Sequence, residues 1–188
     1  IINLIMSQRI LIAGQEGMVG TAVYKLLKKN PKFKIINCKR KDLDFTSQKL
    51  VKVWFKKNKP DVVINAAGRV GGILDNSTYQ SDYLYTNTMI GMNIINSSLE
   101  NNVKKLINLG SACIYPKKVK QPISESSLLS SSLEKTNEGY ALAKISTIKL
   151  CEYISLNKKY NYLSLIPCNI YGPNDKFDEA NGHLVGSL

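Results

Sequence analysis

The stretch Arg9-Ile10-Leu11-Ile12-Ala13-Gly14-Gln15-Glu16-Gly17-Met18-Val19-Gly20 decides how the chain folds. A short apolar run ends in three spaced glycines, and Val23, Leu26 and Leu27 then fall on one face of a predicted helix. Strand, glycine turn and helix in that order make a cradle for a pyrophosphate. One glycine permits the tight turn, another lets the backbone approach the phosphates, and the third packs helix on strand, while the helix N-terminus attracts the anion. Gly14, Gly17 and Gly20, with Met18 and Val19 between them, are the expected contacts of a dinucleotide.

Outward from this unit, strand and helix patterns alternate. Residues 34–38 read as a second strand, and Thr46 or Ser47 caps a helix to about Lys57 with Leu50, Val51, Trp54 and Phe55 buried. A third strand over 61–67 closes on Asn65-Ala66-Ala67, and the small Ala66 and Ala67 would let a cofactor lie across its end. A long helix over about 77–102 follows, in which Tyr83, Met89, Met92 and Ile95 read as core or interface packing. Then come a fourth strand over 105–110, a loop over 117–136 long enough to act as a binding lid, a helix over about 137–158 and a fifth strand over 162–167. This alternation predicts an α/β fold with a doubly wound parallel sheet.

The end of the second strand bears on the cofactor. A site selective for NAD has an acidic residue there, accepting hydrogen bonds from the ribose. This chain has Lys39, Arg40 and Lys41, which would attract a 2′-phosphate, so the expected cofactor is NADP(H), with Arg40 the main contact and Asp44 in reach of the adenine amine.

Two further groups carry chemistry. Ser111 and Cys113 follow the fourth strand; in extended backbone they would project together, about 6 to 7 Å apart, at the carboxyl edge of the sheet. A serine there can donate to a carbonyl, and a cysteine whose thiolate is favoured can remove a proton. Tyr140 and Lys144 stand four residues apart, on one face of their helix. A fixed ammonium favours a neighbouring phenolate by about 1.4 kcal/mol per pKa unit, which suits a tyrosine that exchanges a proton with an alcohol or ketone.

Composition excludes other classes. The chain has 188 residues, 44% hydrophobic, enough for a substantial core. Cys38, Cys113, Cys151 and Cys168 lack C-x-x-C spacing and His183 is the single histidine, so neither a disulfide scaffold nor a metal site is expected. No apolar run approaches the roughly 20 residues of a membrane span. The net charge of +12 invites a nucleic-acid reading, but the lysines are spread over helices and turns without a recognisable nucleic-acid module. A basic surface also suits a phosphate-bearing ligand.

Taken together, these motifs resemble the extended short-chain dehydrogenase/reductase superfamily and, within it, the GDP-L-fucose synthase family of GDP-4-keto-6-deoxy-D-mannose 3,5-epimerase/4-reductases. The resemblance rests on the glycine turn, Val70-Gly71-Gly72-Ile73, Gly110-Ser111-x-Cys113-Ile114-Tyr115-Pro116-Lys117, Thr136-Asn137-Glu138-x-Tyr140-Ala141-x-Ala143-Lys144 and Asn169-x-Tyr171-Gly172-Pro173. It implies that Cys113 acts as base and His183 as acid at C3 and C5 of the sugar. Ser111 and Tyr140 would hold the ketone oxygen, and Tyr140 would protonate it as NADPH delivers hydride to C4. Lys144 would grip the nicotinamide ribose and lower the tyrosine's pKa. Pro167 and Asn169 would join the cofactor contacts, and Ser111, Cys113, Asn169 and His183 would touch the substrate. A cytoplasmic homodimer, paired through the two long helices, is implied in the same way. Competing readings are another nucleotide-sugar enzyme of the superfamily and a non-catalytic NADP- or RNA-binding protein of the same fold. A 4,6-dehydratase would carry Asp-Glu where Ala112-Cys113 stands.

The expected organisation is a non-native or disordered start over 1–5, with Met6 as a natural beginning, an NADP-binding domain over 6–176, and the first part of a truncated substrate-binding region over 177–188. Family members continue into a smaller domain that grips the nucleotide-sugar. Without it, weak cofactor binding and little turnover are expected of these 188 residues.

Overall fold

The computed structural model describes residues 7–175. Five strands, β1 (Gln8–Ala13), β2 (Phe33–Ile36), β3 (Val62–Asn65), β4 (Lys105–Leu109) and β5 (Asn161–Leu165), form one parallel sheet in the order β2-β1-β3-β4-β5. The chain leaves β1 to one side for β2 and then crosses to the other for β3. The crevice for a ligand in such a sheet opens where that reversal occurs, outside the carboxyl ends of the strands. Pairing of Ala13 with Asn65, and of Asn65 with Asn108, sets three strand ends level there.

One face of the sheet is covered along its length; the other is covered over β2, β1 and β3, while Leu163 and Leu165 of β5 stay 51% and 45% exposed. On one face Leu11, Val63 and Leu106, none of them exposed, pack with Val51 and Phe55 of α2 (Gln48–Asn58), Ile94 and Ile95 of α4 (Gln80–Glu100), and Cys151 and Ile154 of α5 (Glu138–Lys158). Alternate residues Ile10 and Ile12 point the other way, onto Val23, Tyr24 and Leu27 of α1 (Met18–Leu27). Each fully buried aliphatic side chain of this kind contributes about 1.5–3 kcal/mol.

Four expectations need correction. Leu26 is 69% exposed, because the face of α1 that meets the sheet is centred on Gly20, Val23, Tyr24 and Leu27, with Tyr24 filling the place expected of Leu26. Leu50 is 50% exposed; Val51 and Phe55 alone turn fully inward, and Trp54 packs beside them. The single helix over 77–102 is two, α3 (Ile73–Thr78) and α4, broken at Tyr79, whose φ of −115° and ψ of 41° leave the helical region. Finally, residues 112–114 form a 3-10 turn rather than an extension of β4, so Ser111 is extended and Cys113 is not.

Ser47, rather than Thr46, caps α2 by accepting from the Leu50 amide, while Thr46 bonds to Asp44. The loop over 117–136 is pinned by a Lys117–Glu134 ion pair of 2.8 Å, and Leu133 and Leu128 pack with Ile114, Ala141, Ile145 and Ile148 outside the main core. α4 and α5 lie side by side and touch most closely at glycines: a Cβ on Gly91 would run into the Thr147 side chain, and one on Gly139 into the Gln80 carbonyl.

Candidate active site

At the carboxyl ends of β1, β3, β4 and β5 lies a cavity of about 290 Å³. Gly17, Met18 and Val19 close it on one side and Ala66 and Ala67 on another; Ser111, Tyr140, Lys144, Pro167 and Asn169 also line it, with Tyr83 and Asn76 among the rest of the wall. Ten of the residues expected at a cofactor or substrate site therefore share one space. Of the rest, Gly14 and Gly20 lie behind the wall, Cys113 sits just outside it, and Arg40 and Asp44 are on the exposed loop beyond β2. His183 falls outside the described residues.

The glycine turn is built for a close neighbour. Gly14 has φ +80°, a conformation glycine adopts without strain, and a Cβ there would stand 2.6 Å from the Ala66 carbonyl oxygen and 2.7 Å from the Ala67 nitrogen. A Cβ on Gly20 would collide with the Gly14 carbonyl, so this glycine serves helix-to-strand packing. Gly17 caps α1 in extended conformation with no side-chain hydrogen bond, and the first turn has no acidic residue. The free N–H groups at this end favour an anion. Across the crevice, the Arg40 amide donates to Glu16 at 3.0 Å, tying the basic loop to the glycine turn. Asp44 is held below its usual range by hydrogen bonds from Thr46 and by the charge of Arg40. These residues fit a dinucleotide with a phosphate near Arg40.

Deeper in, α5 delivers Tyr140 and Lys144 one turn apart. Lys144 is buried and donates to the Leu109 carbonyl at 2.9 Å; its nitrogen is 5.6 Å from the Tyr140 ring centre. Burial pulls this lysine down to about 8. The same burial pushes the Tyr140 phenol well above its ordinary value, aided by the nearby Cys113 and opposed by the Ser111 hydroxyl. The ammonium was expected to lower the phenol's pKa; desolvation of the phenolate raises it instead. Burial also raises the Cys113 thiol, against the pull of Ser111 and of Lys144. Ser111 thus lies close enough to both thiol and phenol to favour their anions, although the 3-10 turn, rather than a shared strand face, puts it there.

Several positioning groups escape sequence reading. Asn65 donates to Asn108 at 3.0 Å, Asn108 to Thr147 at 3.3 Å, and Thr147 to the Lys144 carbonyl at 2.9 Å, a buried ladder from β3 to the backbone of the lysine. The signal was an asparagine inside two otherwise apolar strands. Asn87 clasps Arg69 by accepting from its amide at 2.9 Å and donating to its carbonyl at 3.1 Å, which fixes the segment after β3.

A model of the NAD dependent epimerase/dehydratase family matches residues 10–188. The chain belongs to this family. Among curated relatives of this family member, GDP-L-fucose synthase of Escherichia coli (strain K12) is 45% identical over 183 residues, 96% of this chain and 56% of the relative. The chain spans about half the length of the curated relatives it matches. A GDP-L-fucose synthetase from Naegleria fowleri, solved with NADP bound, superposes with a TM-score of 0.87 at 31% identity, covering 97% of this chain and 60% of that one. A GDP-mannoheptose C4 reductase from Campylobacter jejuni, also with NADP, gives 0.85 at 34% identity over 89% of this chain and 53% of that one. Among the described residues, no helix is long and apolar enough to cross a membrane.

Proposed function

We propose that the protein carrying this chain is an NADPH-dependent enzyme that converts GDP-4-keto-6-deoxy-D-mannose to GDP-L-fucose by epimerisation at C3 and C5 and reduction at C4. The observation that carries this reading is the convergence of Tyr140, Lys144 and Ser111, with Cys113 just behind them, on a cavity walled by the glycine turn. The similarity to GDP-L-fucose synthases, at 45% identity to one of them, supports it.

In this reading the N-terminus of α1 and the backbone of Gly14 and Gly17 would hold the pyrophosphate, Arg40 would meet the 2′-phosphate, and Ala66, Ala67, Lys144 and Pro167 would hold the ribose and nicotinamide. NADPH, when bound, supplies the hydride that reduces the C4 carbonyl. Ser111 and Tyr140 donate to the C4 oxygen, stabilising negative charge on it first in the enolate and then in the alcohol-forming step. Tyr140, kept protonated by burial, is the proton donor to that oxygen. The Cys113 thiolate removes the acidified proton, and His183 returns one on the opposite face of the ring. Asn169 contacts the sugar. A homodimer is proposed through α4 and α5, and a domain division at about residue 176 goes with this reading.

A reductase without epimerase activity is the second reading. The observation that favours it is that burial keeps Cys113 as the neutral thiol, a poor base. Solvent deuterium entering C3 and C5 separates the two.

The cofactor arm is tested by titrating NADPH and NADH. NADPH should bind at least tenfold tighter, and Arg40→Ala should remove about 1–3 kcal/mol of that preference, the size of a hydrogen bond to a charged group. Equal affinities, unchanged by Arg40→Ala, would contradict the NADP assignment.

A further inference from the structure

The start of α4 meets the start of α5 at the residues that flank the reactive phenol. Gln80 spans the junction: its amide nitrogen donates to the Lys135 carbonyl at 2.8 Å, and its amide oxygen accepts from the Gly139 amide at 3.0 Å. Gly139 precedes Tyr140, and the absence of its side chain lets the Gln80 backbone lie against it. One turn further along α4, Tyr83 is fully buried and meets the Tyr140 ring edge-on, with centres 6.1 Å apart and planes at 87°. Tyr83 is itself anchored. Its hydroxyl donates to Asp75, and Arg69 lies 4.6 Å over its ring while pairing with Asp82 at 3.1 Å. Burial and Asp75 push the Tyr83 phenol up to about 12, so it stays a donor to Asp75. Arg69 in turn has its backbone clasped by Asn87. A Cβ on Gly71 would strike both the Tyr83 hydroxyl and Asp75, so the segment after β3 packs directly on this pair.

We propose that Gln80 and Tyr83, one turn apart on α4, are positioning residues that set the place and ring plane of Tyr140. Gln80 fixes the first turn of α5, and Tyr83, held by Asp75 and Arg69, supplies the surface against which the phenol rests. The two clamps act on one side chain from one helix face. The chemical consequence rests on the reading of Tyr140 as proton donor; the positioning itself does not.

The test is tyrosine-labelled NMR of the full-length protein, with Tyr140→Phe to assign its Cζ signal. In Gln80→Ala and in Tyr83→Leu the Tyr140 signal should shift, while those of Tyr24 and Tyr153, remote on α1 and on the outer part of α5, stay in place. Tyr83→Phe, which keeps the ring and loses the anchor to Asp75, should shift it less, and Asp75→Asn, which keeps an acceptor, should leave it near the parent position. An unmoved Tyr140 signal in Gln80→Ala would overturn the proposal whatever Tyr83→Leu does, since loss of the neighbouring ring alone moves that signal; so would equal movement of all tyrosine signals. In the full-length enzyme Tyr83→Leu should lower kcat about tenfold, and Tyr83→Phe, which keeps the ring at the cavity wall, should lower it less. A shifted Tyr140 signal with undiminished turnover would instead defeat the role of Tyr140 and leave its positioning standing.

Discussion

Lys144 is buried at the wall of the cavity, its ammonium bound to one backbone carbonyl. Its folded pKa of about 8 lies below the unfolded value of 10.5, so between those two pH values the unfolded chain holds a proton that the folded chain has released. Stability therefore gains from this residue as pH rises through that window, by about 1.4 kcal/mol per pH unit. Lys144→Met removes the effect. Denaturant unfolding of both proteins at pH 7, 8 and 9 should show the variant's advantage narrowing above pH 8; a constant difference would contradict the burial argument. Cys113 carries the opposite sign. A base must be ionised, and burial has raised this thiol, so deuterium uptake at C3 and C5 should climb about tenfold per pH unit from pH 7 toward 9. A flat profile would contradict Cys113 as the base. Neither shift was legible in the sequence, because spacing places two groups on one helix face but does not tell how dry that face is.

Secondary-structure elements show where pattern suffices and where it fails. The strand, glycine turn and helix from Gln8 to Leu27 were legible because each part has its own local signature: an apolar run, glycines at fixed offsets, then helical periodicity. The break at Tyr79 was not, because no glycine or proline marks it, although Tyr79 leaves the helical region. Leu26 and Leu50 were misplaced since a stripe of apolar residues is wider than the part of it that touches the sheet. Ser111 and Cys113 were rightly read as neighbours, though on the premise of a strand where the chain turns. The meeting of α4 and α5 depends on Gly91, whose Cα faces Thr147. Gly91→Val should therefore destabilise the fold by about 1–3 kcal/mol through overpacking, read as a lower urea midpoint with unchanged slope. An unchanged midpoint would mean that the two helices can part at little cost.

On the scale of the molecule, a parallel sheet with its reversal between β2 and β3 gathers residues from four strand ends and four helices at one cavity, although they are spread over more than 150 positions of sequence. The formal charge of +12 is compatible with a ligand that brings several phosphates to that edge. The family assignment follows from the match over residues 10–188, and the account built on it asks one cavity to perform both proton exchange and reduction. Protein expressed from the full reading frame, given GDP-4-keto-6-deoxy-D-mannose in deuterium oxide, tests that demand. Following C3 and C5 by NMR and NADPH by absorbance, the account predicts deuterium at both carbons in the parent, loss of exchange by about a hundredfold or more in Cys113→Ser, and lost reduction with slowed exchange in Tyr140→Phe, where Ser111 alone is left to hold the enolate oxygen. Exchange in Cys113→Ser as fast as in the parent would contradict it.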